Sequence, residues 1–294
     1  MSLLVFDIGG SAVKYAVWDK EEIVDKGSFI TPSTWEEMKT SLLQVKQKFA
    51  NQFMIEGVAI SSPGAVNQRR GVVEGASAVP YLHDFEIYPE LTELFGCPIS
   101  MENDANCAAL AEVWKGAAKG LKDIIFVVVG TGIGGSVIVD GKIHHGKHLF
   151  GGEFGYMLLN HDETFSTLAS PVKMAVRYAK RFNLPSGKIS GKEVFELAEQ
   201  GDKIAIEETE KFYYSLAQGI YNLQYSYDPE KIIIGGGVSA KPDLIPQLHR
   251  KFKEILDKVQ IAKIVPDIAI CKFENDANLI GAVYNYHLNH GESK

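Results

Sequence analysis

Three glycine turns and two carboxylates carry the chemistry. Asp7-Ile8-Gly9-Gly10-Ser11 sets an acid inside a tight turn and is followed by Lys14; Gly130-Thr131-Gly132-Ile133-Gly134-Gly135 is a second turn and Gly235-Gly236-Gly237 a third. A triphosphate needs several backbone N–H groups around its oxygens, and only residues without a Cβ let the chain come that close. Asp7 is placed to hold Mg²⁺ through water, with Gly9, Gly10, Ser11 and Lys14 as phosphate contacts. In the second turn Gly130, Thr131 and Gly132 offer N–H groups and one hydroxyl. No Gly-Lys-Ser/Thr follows either turn, so this is not a Walker A loop. The second turn enters a strand and not a helix, so it lacks the context of a dinucleotide fingerprint. Gly236 and Gly237 offer bare backbone to a flat ring, which suits adenine and ribose; a plain strand-to-helix turn would use the same residues.

Phosphoryl transfer to an alcohol asks for a carboxylate that orients the hydroxyl and takes its proton. Asp104, at the end of an expected strand, is the candidate base, and Asn103 beside it can both donate to and accept from a sugar diol. Asn and Asp are also the favoured helix N-caps, so capping stays open for this pair. The pentapeptide recurs at 274–278, and there capping by Asn275-Asp276 is the preferred reading. Ser61-Ser62-Pro63-Gly64 ends another buried strand and offers backbone to a substrate or merely turns the chain. Glu153, set among glycines at 151, 152 and 155, can accept two sugar hydroxyls or stand as a solvated loop acid. His144, His145, His148 and His161 lack cysteine partners and metal-ligand spacing, so they read as solvated or capping residues.

These residues need strands to deliver them. Leu3 to Phe6 and Val13 to Trp18 read as a hairpin, Trp35 to Phe53 as a helix, and Gly57 to Ser61 and Pro98 to Met101 as buried strands. Ala105 to Ala118 reads as a helix. Ile124 to Val129 and Ser136 to Val139 form a second hairpin. Lys231 to Ile234 is a strand, with helices over Asp243 to Val259 and Ala277 to Leu288. The class is α/β. FDIGGSAVKYAVWD and VVGTGIGGSVIVDG share one pattern of strand, glycine turn, strand and Asp, which points to two related lobes. A chain of 294 residues also exceeds what one core usually supports. We place the lobes at 1–117 and 118–294, with the terminal helix, about 277–290, packing back on the first.

Bulk properties exclude several classes. A formal charge of -7 opposes a nucleic-acid partner, which needs a basic face. The three cysteines, Cys97, Cys107 and Cys271, are scattered and odd in number, which fits a reducing cytoplasm better than a disulfide framework. Leu3 to Phe6 is too short for a signal-peptide core and no apolar stretch approaches membrane-spanning length, so neither export nor membrane insertion is expected.

At these residues the sequence resembles the ROK family of sugar kinases and sugar-responsive repressors, over nearly its whole length. Asp7 to Lys14 resembles the first phosphate motif, Ser62 to Val66 the Pro-Gly turn, Glu102 to Asn106 the catalytic segment and Gly130 to Gly141 the second phosphate motif. Gly146 to Met157 resembles the sugar loop and Ile232 to Gly237 the adenosine strand. The resemblance implies a two-lobed, actin-like and hexokinase-like ATPase fold with ribonuclease H-like lobes. It implies ATP and Mg²⁺ as cofactors, Asp104 as general base, sugar contacts from Gly64, Asn103 and Glu153, and a homodimer. Lobe closure around the sugar would exclude water.

Departures from the family pattern bear on the substrate. Tyr156 stands where the family has a zinc-ligating His, and Leu159 to Thr167 lacks the family's three cysteines, so no zinc site is expected. Ser166 takes the place of a sugar-binding Glu when Thr167 to Ser170 sets the register. Ala78-Val79-Pro80-Tyr81-Leu82 replaces an Asn-Leu-Pro-Gly-Trp loop. A pocket that has lost an acid and an amide is less committed to a free monosaccharide, and the zinc-free branch that phosphorylates β-glucosides such as cellobiose at the 6-hydroxyl resembles this chain best. Glucokinase and N-acetylmannosamine kinase are the alternatives within the family. A non-catalytic sugar-sensing regulator would call for an N-terminal helix-turn-helix, whereas this chain enters its phosphate hairpin by Leu3. An actin-like scaffold would have no use for Asn103, Asp104 and Glu153.

Overall fold

The computed structural model describes residues 1–185 and 187–291. It divides into two compact units, one made of 1–119, 145–150 and the chain from Asn275 on, the other of 120–144 and 151–274. The expected lobe 118–294 ends in residues 292–294, outside the described part.

The first unit holds β1 (Ser2–Ile8), β2 (Ala12–Asp19), β3 (Glu22–Ile30), α1 (Trp35–Phe49), β4 (Ile55–Ser62), a ribbon of β5 (Ala65–Asn67) and β6 (Val72–Glu74), α2 (Ile87–Phe95), β7 (Ile99–Asn103) and α3 (Asp104–Lys115). Its sheet runs β3-β2-β1-β4-β7, with β2 and β3 antiparallel and β1, β4 and β7 parallel. Leu3 to Phe6 of β1 is an unbroken apolar run because both faces are covered. Leu4, Phe6 and Ile8 pack with Met38, Leu42 and Phe49 of α1, while Leu3 and Val5 pack with residues of the terminal helix.

The second unit holds β8 (Ile124–Val129), β9 (Ile133–Val139), β10 (Lys142–Ile143), α4 (Phe165–Ala169), α5 (Pro171–Arg181), α6 (Gly191–Glu199), α7 (Lys203–Tyr227), β11 (Lys231–Gly235), α8 (Leu244–Lys258) and β12 (Ile268–Ile270). Its sheet runs β10-β9-β8-β11-β12. Three meandering antiparallel strands again adjoin two parallel ones, so each unit repeats one topology, as expected of two related α/β lobes.

The last helix, α9 (Ala277–His290), returns to the first unit and crosses α3. Gly281 makes the crossing possible, since a Cβ there would overlap the Cys107 carbonyl. Trp114 of α3 stacks on Tyr284 at 5.1 Å and 9° and lies 5.3 Å from Trp18.

Three sequence expectations need correction. The first helix stops at Phe49, where a tightened turn takes over: the Gln52 and Phe53 N–H groups both donate to the Phe49 carbonyl. A third strand, β3, follows the first hairpin unannounced. Its turn is Lys20-Glu21, both at positive φ (48° and 67°), where Asn-Gly would be the usual signal. The second strand of the second hairpin starts at Ile133, so Gly134 and Gly135 are strand residues and the turn is only 130–132.

Candidate active site

In the first unit three parallel strands run in register, Asp7 beside Ser61 beside Glu102 and Ser62 beside Asn103. Their carboxyl ends therefore deliver the candidate residues to one edge, where sites of open α/β sheets collect. Asp7 is the penultimate residue of β1 and is buried at 7% exposure. Its Oδ1 accepts from the Ser61 hydroxyl and from Asn278 Nδ2 of α9, both at 2.9 Å, and Lys14 Nζ stands 3.6 Å from Oδ2. The turn after it is tied by its carbonyls: Thr31 Oγ1 donates to the Gly9 carbonyl, and the Thr31 N–H to that of Ser11.

The capping question at 103–104 resolves in favour of Asn103. Its Oδ1 accepts from the Ala105 and Asn106 N–H groups at 3.0 and 3.2 Å, and its Nδ2 donates to the Gly64 carbonyl at 3.1 Å. Asp104 becomes the first residue of α3, with one carboxylate oxygen accepting from the Ala105 N–H at 2.8 Å. In the second copy the cap does not form. Asp276 makes no side-chain capping bond and pairs with Lys26 Nζ at 2.8 Å, while the Asn275 carbonyl accepts from Lys14.

In the second unit a cavity of about 610 Å³ brings Gly130, Thr131 and Gly237 together with Val238, Phe195 and Lys241. Gly236 sits at φ 85°, where a side chain would strike the Val129 carbonyl, so this approach of β11 to β8 requires glycine. Past it the chain makes a 3-10 turn, Gly237–Ala240, before α8. Ser170 Oγ donates to the Gly130 and Thr131 carbonyls at 2.9 and 2.8 Å, again occupying the carbonyl edge of a glycine turn. Lys241 Nζ stands 5.0 Å over the Phe195 ring and pairs with Glu199 at 2.7 Å.

Ser166 Oγ accepts from the Ile133 N–H at 2.8 Å, beneath Gly155. Its hydroxyl thus braces the second hairpin. Glu153 precedes the 3-10 turn Phe154–Tyr156. The residue is largely exposed, yet partial desolvation raises its carboxyl above the usual carboxylate range. Tyr156 is 71% exposed. Among the described residues no group of three or more His, Cys, Asp or Glu could hold a metal ion.

The model of the ROK family matches residues 3–287. The chain belongs to the ROK family. A β-glucoside kinase of Listeria monocytogenes is 33% identical over 295 residues, covering 97% of both chains. The crystal structure of a ROK family protein from Streptococcus pneumoniae in complex with sucrose superposes with a TM-score of 0.91 at 35% identity, over all of both chains. A ROK family glucokinase from Streptomyces griseus, in complex with glucose and AMPPNP, gives 0.76 at 26% identity, covering 96% of this chain and 98% of that one.

Several residues of this ROK chain escaped sequence reasoning. Phe195 of α6 and Lys241, just past the 3-10 turn, line the second-unit cavity, and Ser190 and Glu193 form a capping box ahead of α6. Asn278 reaches Asp7 from the far end of the chain, a pairing that no local pattern encodes. His145, expected to be solvated or capping, instead pairs with the buried Glu102 at 2.8 Å.

Proposed function

We propose that this sugar kinase transfers the terminal phosphate of ATP to the 6-hydroxyl of the non-reducing glucose of a β-glucoside such as cellobiose, with Asp104 as general base. The observation that carries the reading is the common edge of β1, β4 and β7, which gathers Asp7, the Gly64 carbonyl, Asn103 and Asp104. Asn103, Gly64 and Glu153 would hold sugar hydroxyls, and Ser166 would act from beneath the sugar loop. Adenosine would enter the cavity at Gly236 and Gly237, with phosphates on Gly9, Gly10, Ser11 and Lys14 and on Gly130, Thr131 and Gly132. Ser166 and Ala78 favour a glucoside over a free monosaccharide because they stand in place of an acid and an amide that would each bind a hydroxyl.

The residues present suit Mg²⁺ brought with the nucleotide. Mg²⁺ keeps several waters and is commonly held by one or two carboxylates plus phosphates, and Asp7 offers one buried, oriented carboxylate. When bound, the ion supplies charge neutralisation for the phosphates. The expected setting is the cytoplasm, since Cys97, Cys107 and Cys271 form no disulfide, and the expected assembly is a homodimer. Coupled nucleotide-consumption assays with cellobiose, glucose and N-acetylmannosamine test the substrate: cellobiose should give the highest kcat/KM, and a strong preference for either monosaccharide defeats it.

A further inference from the structure

Glu102 is 1% exposed and carries four hydrogen bonds. Its Oε1 accepts from the Asn103 N–H at 2.8 Å and Asn106 Nδ2 at 2.9 Å; its Oε2 accepts from Gln68 Nε2 at 3.0 Å and His145 Nε2 at 2.8 Å. That fills the acceptor capacity of a carboxylate. Two of the donors belong to the junction of β7 and α3 on either side of Asp104, one to the turn between β5 and β6, and one to the 145–150 segment. His145 alone among them can carry a positive charge. A buried carboxylate is costly unless it is paired, so His145 is the group able to balance it.

We propose that His145 is a positioning residue: acting through Glu102, which holds the Asn103 N–H and the Asn106 side chain, it fixes the residues flanking Asp104 and so aims the carboxyl that takes the sugar proton. The inference rests on the assignment of Asp104 as base. Neither the substitution pattern nor the phosphate turns call for His145, whose position in the chain precedes the sugar loop.

The hydrogen bond to Glu102 holds the His145 imidazole above its ordinary pKa, against the opposing effect of burial. The charged groups around His145 are Glu102 on β7, Arg69 and Glu74 on the ribbon and Lys147 on its own segment; the last three line, with His145, a cavity of about 410 Å³. Glu74 is already paired with Arg70 at 2.8 Å, so Glu102 is the group that sustains protonation. The sign follows. The charged pair is complete below the ordinary histidine value and is lost as pH rises through the raised one. A neutral imidazole still donates through Nε2, but to weaker effect than an imidazolium. Turnover should therefore decline, without vanishing, on the alkaline side.

The test compares wild type, His145→Gln and His145→Ala across the range in which histidine titrates, alongside an NMR titration of His145 in wild type and Glu102→Gln. The glutamine amide can occupy the place of Nε2 as a neutral donor. His145→Ala should lose about tenfold in kcat with sugar KM within about twofold, as expected for misplacement of a catalytic group. His145→Gln should recover most of that loss and lack the alkaline decline. Glu102→Gln should move the His145 titration to lower pH. Wild-type kcat in His145→Ala overturns the proposal, as does a His145 titration indifferent to Glu102→Gln. If His145→Ala does not fold, His145→Gln decides, and an alkaline limb identical to wild type is then fatal. Failure of the base assignment shows separately, as turnover retained by Asp104→Asn, and leaves the NMR result standing.

Discussion

The pentapeptide Glu-Asn-Asp-Ala-Asn folds into two different objects. At 102–106 it spans the end of β7 and the start of α3; Glu102 is buried, Asn103 caps the helix and Asp104 opens it. At 274–278 Glu274 is exposed at φ 44°, residues 274–276 form a 3-10 turn, and Asp276 pairs with Lys26 without capping. One feature survives the change. The final Asn donates at 2.9 Å to a buried carboxylate in both copies, Asn106 to Glu102 and Asn278 to Asp7. Identical side chains thus keep a hydrogen-bonding habit, while the element that precedes them decides which are buried, which cap a helix and which pair at the surface. A buried strand in register with two others leads into the first copy. The second follows a short edge strand and an irregular stretch.

Substitution at the Glu positions should separate the copies most. Glu102→Ala strands four donors in and around a buried site and should cost about 3 kcal/mol in urea unfolding. Glu274→Ala, at an exposed position, should stay within about 0.5 kcal/mol; equal losses would erase the distinction. The polar residues that follow give a smaller contrast. Asn103→Ala removes a helix cap and should cost about 1 kcal/mol. Asp276→Ala removes a part-exposed ion pair and should cost less than about 1 kcal/mol. Thermal melts of both sharpen the assignment of capping to the first copy alone.

Much of the first copy was legible because its signals are local. A buried strand ahead of Asn-Asp and an Ala-rich run behind it announce a strand-to-helix junction, and the glycine turns announce themselves. The repeated strand-turn-strand pattern likewise anticipated two sheets of one topology. What stayed hidden was long-range or carried by unusual residues. β3 hangs on a Lys-Glu turn with no glycine or asparagine to mark it. The Asp7–Asn278 bond joins residues 271 positions apart, and the Glu102–His145 pair joins residues 43 apart. The capping expectation at Asp276 failed for a related reason, because Lys26, on the unforeseen strand, holds that carboxylate elsewhere.

The central claim is that the first copy carries the catalytic carboxyl and the second does not, and the kcat of Asp104→Asn beside that of Asp276→Asn measures it directly. Loss of a general base should lower kcat of the first by about 10²- to 10⁴-fold with an unaltered melting temperature, while the second stays within about threefold of wild type. An Asp104→Asn enzyme that folds and turns over sugar at the wild-type rate would contradict the account.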